Sequence, residues 1–140
     1  MSSLYDDISC KTRAVDVASL PSLILAIAQE RSLTAVLQRV IETVAAEPDV
    51  GLARLWLLQE DRACPRCAVH APSAEVALHL RASAGQSRSV GVDWTRTHGA
   101  FHRMTLGSSR KVSHMATTGD SIRVPRLDED GRWLRYPDWA

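Results

Sequence analysis

The chain has 140 residues, a length typical of one globular domain, and 45% of them are hydrophobic and 24% charged. Its formal net charge of +1 gives no electrostatic basis for binding nucleic acid or a membrane surface. No apolar run approaches the roughly 18 residues of a membrane span, and the N-terminal residues lack the apolar segment of a secretory signal. We therefore expect a cytoplasmic protein without direct nucleic-acid or membrane contacts.

Two helices are predicted after a polar lead-in, residues 1–18. The first covers residues 19–31, with Pro21 in its first turn, where the missing N–H costs nothing. The second begins after Ser32, a candidate N-cap, and ends before Pro48. Its apolar residues recur at helical spacing and form one stripe: Leu33, Val36, Leu37, Val40, Ile41 and Val44. This stripe can cover one face of a sheet or pair with another chain.

Two strands are predicted next, at residues 52–59 and 77–85, with a long polar loop at 60–75 between them. The first is apolar on both faces, which predicts a central strand covered on both sides. The second alternates apolar side chains with a polar set that faces solvent or a pocket: His79, Arg81 and Ser83.

The rest of the chain predicts short elements after an irregular stretch at 86–99. These are a strand at 101–106, a helix at 109–118 with Gly119 just after it, a strand at 122–127 and a turn before the aromatic residues 133–140. The order of elements predicts an α+β domain with helices on an antiparallel sheet.

Five segments in this order resemble an N-terminal sensory GAF domain of bacterial signalling proteins: LARLWLLQED, CPRC, ALHLRASAG, LGSSRKVSHMATTG and DGRWLRYPDWA. The relatives of this type are sensor histidine kinases and sigma-factor-dependent transcription activators. The resemblance covers roughly residues 18–140, and it implies a partial GAF-type domain at 19–140. The antiparallel sheet of a GAF domain continues past Trp139 with further strands, so the resemblance implies a domain that lacks its last strands.

Two further departures from the GAF pattern concern its ligand side. The glycine-rich entry to the helix, LGxGKVG in the family, has one extra residue and two replaced glycines at residues 106–113. Family members with CPxC also carry further cysteines, one of them at the position of Ala77. Because the family's ligand lies between the sheet and the helix of KVxxxAxTG, the resemblance implies a pocket lined by Trp56, His79, Arg81, Ser83, Lys111 and His114.

The chain has three cysteines, and this odd number argues against a disulfide framework. Cys64 and Cys67 form a CPRC motif, whose two thiolates can reach one metal ion from a single turn. With His70 and His79 they can form a zinc site, and an iron–sulfur centre at the two cysteines is a second option. A polar loop with two free cysteines is the simplest interpretation, and a thiol redox switch is a further one.

The remaining polar residues predict no catalytic site. The chain has no nucleophile elbow, phosphate-binding glycine loop or HExxH motif. His98 and His102 lie four residues apart without a nearby acidic partner, and we expect both at the surface.

Three hypotheses for function follow. The first is a non-catalytic sensory or regulatory module of bacterial signal transduction that binds a small ligand or responds to redox or metal state. The second is an interaction protein that forms a homodimer, or binds a full-length relative, through its N-terminal helices. The third is a small zinc- or thiol-dependent redox protein.

Overall fold

The fold is taken from a computed structural model, which describes residues 20–70, 73–85, 95–99, 101–108 and 110–124, apart from the side chain of His70. The predicted lead-in, most of the irregular stretch before residue 95, the turn after residue 127 and the aromatic C-terminal residues lie outside the described residues. So do the last residues of the strand predicted at 122–127, and residues 122–124 themselves form no strand.

The two predicted N-terminal helices are confirmed as α1 (Leu20–Gln29) and α2 (Leu33–Ala45). Ser32 caps α2, because its Oγ accepts a hydrogen bond from the backbone N–H of Ala35 at 3.1 Å. α2 packs on the sheet through the middle of its apolar stripe, with Ile41 buried in the core, whereas Leu33 and Val44 at the ends of the stripe are exposed. Among the described helices, none has the length and apolar character required to span a bilayer.

The described strands form an antiparallel sheet in the order β1–β2–β3, with β1 at Leu52–Glu60, β2 at Val76–Gly85 and β3 at Arg103–Thr105. Helix α4 (Lys111–Thr118) follows β3 and ends at Gly119, which adopts a left-handed conformation with φ of 79°. Together with α2 on the sheet, this arrangement confirms the predicted α+β class, an antiparallel sheet flanked by helices.

The position of β1 corrects one prediction. Within the described residues β1 lies at the edge of the sheet and β2 at its centre. β1 reads as a central strand because apolar residues occupy both of its faces. Leu55 packs against the core under α2, whereas Trp56 donates a hydrogen bond from its indole N–H to the Phe101 carbonyl at 3.4 Å. Among the described residues, the apolar side chains on the two faces of β1 therefore meet α2 and the Phe101 segment, and not a second strand neighbour.

The core cluster between α2 and the first two strands is small, and Leu78, Leu80 and Met104 are buried outside it. Its buried members are Ile41, Ala53, Ala82 and Ala84. The alanines allow α2 to lie close to the sheet, and the half-buried Leu37 and Leu55 fill the space around them.

The segment between β1 and β2 is more ordered than the loop that the sequence predicts. It contains a 3₁₀ turn at Asp61–Ala63 and a short helix α3 at Cys67–His70. The backbone N–H groups of Asp61 and Arg62 donate to the carbonyls of Glu75 and Ser73, both at 3.0 Å, and so close the segment beyond the end of the ladder. The CPRC motif is thereby held beside the end of β2.

Candidate metal centre

Four side chains from three separate segments converge beside this closed loop. They are Cys64 and Cys67 of the CPRC motif, His79 in the middle of β2 and His102 just before β3. Each contributes one potential ligand atom, and these four atoms all lie within 4.8 Å of one another. Cys64 and His79 are fully buried, whereas Cys67 and His102 are half-buried.

The backbone positions each member of the set. The Cys64 N–H donates to the Asp61 carbonyl at 3.0 Å, and the Ala68 N–H donates to the Cys64 carbonyl at 2.9 Å, which turns the CPRC motif back on itself. His102 is held against β2 because the Leu80 N–H donates to its carbonyl at 2.8 Å. The pairing of His79 with Arg103 in the β2–β3 ladder then puts the two histidines side by side.

The sulfur-to-nitrogen distances match those of a tetrahedral zinc site. Zinc bonds of about 2.3 Å to sulfur and about 2.05 Å to nitrogen, at the tetrahedral angle, put neighbouring S and N ligand atoms about 3.5 Å apart. Cys64 Sγ lies 3.5 Å from His102 Nε2, and Cys67 Sγ lies 3.5 Å from His79 Nδ1 and 3.6 Å from His102 Nε2. These are three of the four sulfur-to-nitrogen pairs, and the remaining separations between ligand atoms are no longer than 4.8 Å.

Both histidines direct one nitrogen towards the sulfurs and the other towards an oxygen. His102 Nδ1 lies 2.9 Å from the Thr97 carbonyl, which only an N–H at that position can satisfy. His79 Nε2 lies 3.3 Å from Asp61 Oδ1. A zinc-binding histidine needs such an outer partner, because the partner fixes the proton on the remote nitrogen and leaves the near nitrogen free to coordinate.

The protonation of the centre follows from its burial. Burial raises the pKa of Cys67, and a hydrogen bond with Cys64 acts in the same direction. Burial lowers the pKa of His79, against the opposing effect of the Asp61 carboxylate. His79 therefore stays neutral at physiological pH, as a metal ligand must, whereas Cys67 holds its proton until a metal displaces it.

An open cavity of about 650 Å³ adjoins the centre. Cys67 and His102 line it together with Arg66, His98 and Arg103. The half-buried side of the centre is therefore reached from the cavity, which gives a metal ion a route to its ligands.

The structure brings together three of the four residues that the sequence suggests as ligands. The fourth residue of the cluster differs from the predicted one. Cys64, Cys67 and His79 belong to the described cluster, whereas the side chain of His70, a residue of α3, lies outside the described part of the chain. The fourth member is His102. Its predicted surface position is wrong, because the β2–β3 pairing draws it half-buried against the sulfurs, and nothing in the local sequence signals that pairing.

The residues of the predicted ligand pocket contact different parts of the fold. Arg81 has no partner residue in the β1–β2 register, since Leu55 pairs with Ala82 and Trp56 with Leu80. The alternation of side chains between the two faces of β2 is therefore interrupted at Arg81. Arg81 donates to Thr34 of α2 at 3.4 Å, a contact outside the centre.

The other members of that set occupy further sites. Ser83 is fully buried and accepts a hydrogen bond from Arg54 Nε at 3.3 Å. Lys111 is half-buried at the start of α4, and His114 is exposed on the same helix. None of the six predicted pocket residues lines the described cavity beside the metal centre.

Comparisons with protein-family models, with curated proteins and with solved structures give no match to this chain.

Proposed function

We propose that this chain is a non-catalytic regulatory domain whose working state holds one zinc ion at Cys64, Cys67, His79 and His102. The observation that carries the proposal is the convergence of these four ligand atoms within 4.8 Å. Two thiolates and two imidazoles suit zinc better than magnesium or calcium, which prefer oxygen ligands. An iron–sulfur cluster is less suited, because its terminal ligands divide between several iron atoms and must stand further apart.

A regulatory role is favoured over catalysis by the number of ligands. Catalytic zinc sites keep one position open for water or substrate, whereas four protein ligands fill a tetrahedral site. The GAF-type sequence pattern and the α+β class support a sensory module of bacterial signal transduction in the cytoplasm, one that responds to metal. Zinc would join the CPRC segment to β2 and to the residue before β3, so its binding would fix the relative positions of these elements.

Metal analysis of the reduced protein, purified without added metal, tests the proposal. We expect about one zinc per chain, and Co²⁺ substitution should give the tetrahedral absorption bands and the sulfur charge-transfer bands of a two-thiolate site. Cys67→Ser and His102→Ala should each weaken binding and alter the Co²⁺ spectrum. His114→Ala, at an exposed position on α4, is the matched control. A metal content near zero, or a Co²⁺ spectrum without thiolate bands, would refute the proposal.

A thiol redox switch is the second candidate, favoured by the position of the Cys64 and Cys67 sulfurs within 4.8 Å of each other. Such a switch would form a disulfide between these residues on treatment with peroxide, in protein that binds no metal when reduced. Mass spectrometry of reduced and oxidised samples separates the two candidates. Disulfide formation in protein that was metal-free from the start favours the switch.

Homodimer formation through the N-terminal helices is an additional proposal, supported by the composition of α1. The segment LPSLILAIAQ carries no charged residue, and none of its residues is buried. Ile24 and Leu25 are 64% and 63% exposed. An uncharged apolar helix is best matched by the same helix of a second copy. Light scattering should show a dimer that Ile24→Glu converts to monomer, and a strictly monomeric wild-type protein at high concentration would remove this proposal.

A further inference from the structure

The side chain of Asp61 lies directly behind His79, at the nitrogen remote from the sulfurs. His79 Nδ1 faces Cys67 Sγ at 3.5 Å, and its Nε2 lies 3.3 Å from Asp61 Oδ1. Asp61 is not itself a member of the ligand cluster. Its position corresponds to that of the Thr97 carbonyl behind His102, so both histidines have an oxygen at the remote nitrogen.

The Asp61 side chain is buried, with 5% of its surface exposed, and three hydrogen bonds hold it in this position. Its Oδ1 accepts from Arg103 Nε at 2.8 Å, and its Oδ2 accepts from Arg103 Nη2 at 3.0 Å and from Ser73 Oγ at 2.8 Å. Arg103 in turn pairs with Glu75 at 2.8 Å. Because the guanidinium is chelated by the carboxylate, Asp61 remains an anionic acceptor with little freedom to turn away.

Nε2 of His79 is a buried polar atom without a well-aligned partner among the described residues, and both the Asp61 carboxylate and the Gln59 backbone lie near this ring. The ring is completely buried, and this nitrogen makes no well-aligned hydrogen bond within the described residues. A buried N–H without an acceptor is costly. Asp61 Oδ1 lies 3.3 Å from this nitrogen, a distance from which a small rotation of the imidazole would align the two groups.

We propose that Asp61 is a positioning residue of the zinc centre, which holds the proton of His79 on Nε2 and so presents Nδ1 to the metal. This inference rests on the proposed zinc site. It also gives Arg103 a part in the centre, because Arg103 fixes Asp61 and directly follows the ligand His102. Two consecutive residues thus serve the centre: His102 is a ligand, and Arg103 forms the ion pair that holds the Asp61 carboxylate.

The test is the zinc affinity and the histidine tautomer of Asp61→Asn. Loss of an outer-shell partner typically lowers metal affinity by about 10–100-fold, and we expect a rise in the zinc Kd within this range. The ¹⁵N resonances of zinc-loaded, histidine-labelled protein report which ring nitrogen binds the metal. In the wild type His79 should bind through Nδ1 with a slowly exchanging Nε2–H, and in the variant this proton should exchange faster or the tautomer should become mixed.

Two further variants separate positioning from a structural role. His114→Ala, at an exposed position on α4 outside the centre, should leave the zinc Kd and the His79 resonances near those of the wild type. Arg103→Lys keeps the positive charge but loses the two-pronged contact, and we expect a smaller rise in Kd with a His79 change in the same direction. Arg103→Lys serves as the test if Asp61→Asn does not fold.

The outcomes distinguish this inference from the proposed function. A wild type that binds zinc with thiolate bands in the Co²⁺ spectrum, beside a folded Asp61→Asn variant with unchanged Kd and unchanged His79 resonances, overturns the inference alone. Unchanged values in Arg103→Lys do the same when Asp61→Asn fails to fold. A wild type that binds no metal overturns both proposals.

Discussion

Zinc should raise the thermal stability of this chain in a way that depends on the free zinc concentration. The four ligands come from segments that only the folded chain brings together: the CPRC turn, the middle of β2 and the residue before β3. The unfolded chain keeps just the two cysteines close to each other, so zinc binds the folded state far more tightly. Binding of this kind stabilises the fold by RT ln(1 + [Zn]/Kd).

The size of the effect follows from this relation. At a free zinc concentration of 100 times Kd the gain is about 2.7 kcal/mol, and each further tenfold adds about 1.4 kcal/mol. A chain of this length shifts its Tm by about 4 °C per kcal/mol. We therefore expect a rise of about 11 °C at 100 times Kd and about 6 °C for each further decade.

The assay is thermal unfolding followed by circular dichroism, in buffers that fix free zinc with a chelator and keep the thiols reduced. His102→Ala removes the ligand next to β3 and should abolish most of the zinc-dependent rise. His114→Ala, at an exposed position on α4, should follow the wild type. A wild-type Tm that does not change with zinc would refute the reasoning, as would a parallel rise in His102→Ala.

Three other predictions concern the capping, the backbone and the protonation of the chain. Ser32→Ala should lower the free energy of unfolding by about 1 kcal/mol in urea, because it removes the cap bond to Ala35 N–H; an unchanged midpoint would contradict the capping role. Gly85→Ala should destabilise the chain by more than about 1 kcal/mol, because φ is 154° and a Cβ would lie 2.4 Å from the Gly51 carbonyl oxygen. Gly51→Ala, which meets no atom within 4 Å, is its control, and equal unfolding midpoints for the two variants would exclude the clash. The zinc Kd should fall as pH rises from about 6 to 8, because the raised pKa of Cys67 keeps this thiol protonated and zinc must displace the proton; a competition titration with a pH-independent Kd would contradict this linkage.

The α2 segment illustrates which features can be predicted from local sequence. The stripe from Leu33 to Val44 and the cap at Ser32 depend on spacing along a single helix, and the structure has both, with the helix at Leu33–Ala45. The two main strands were predicted within one residue of their observed ends for a similar reason. Each is a run of apolar and alternating residues bounded by turn signals.

The sheet order could not be predicted in the same way. Apolar residues on both faces of β1 indicate that both faces are covered, yet they do not indicate how many strands lie beside it. The described sheet has β2 at its centre because β3 pairs with residues 77–79. This pairing depends on contacts between distant parts of the chain, and such contacts leave little trace in a single sequence.

In the candidate metal centre, too, some residues could be predicted from local sequence and others only from contacts between distant parts of the chain. By itself, the sequence determined the helix α2 and the α+β class, and it suggested four possible ligands: Cys64, Cys67, His70 and His79. Three of these, Cys64, Cys67 and His79, belong to the described cluster. Only the tertiary structure decided that His102 belongs to the set, and that Asp61 stands behind His79 with Arg103 across it. The physical reason is that these groups lie 18 to 42 residues apart in the chain and are brought together by strand register, which is set by the packing of the whole sheet.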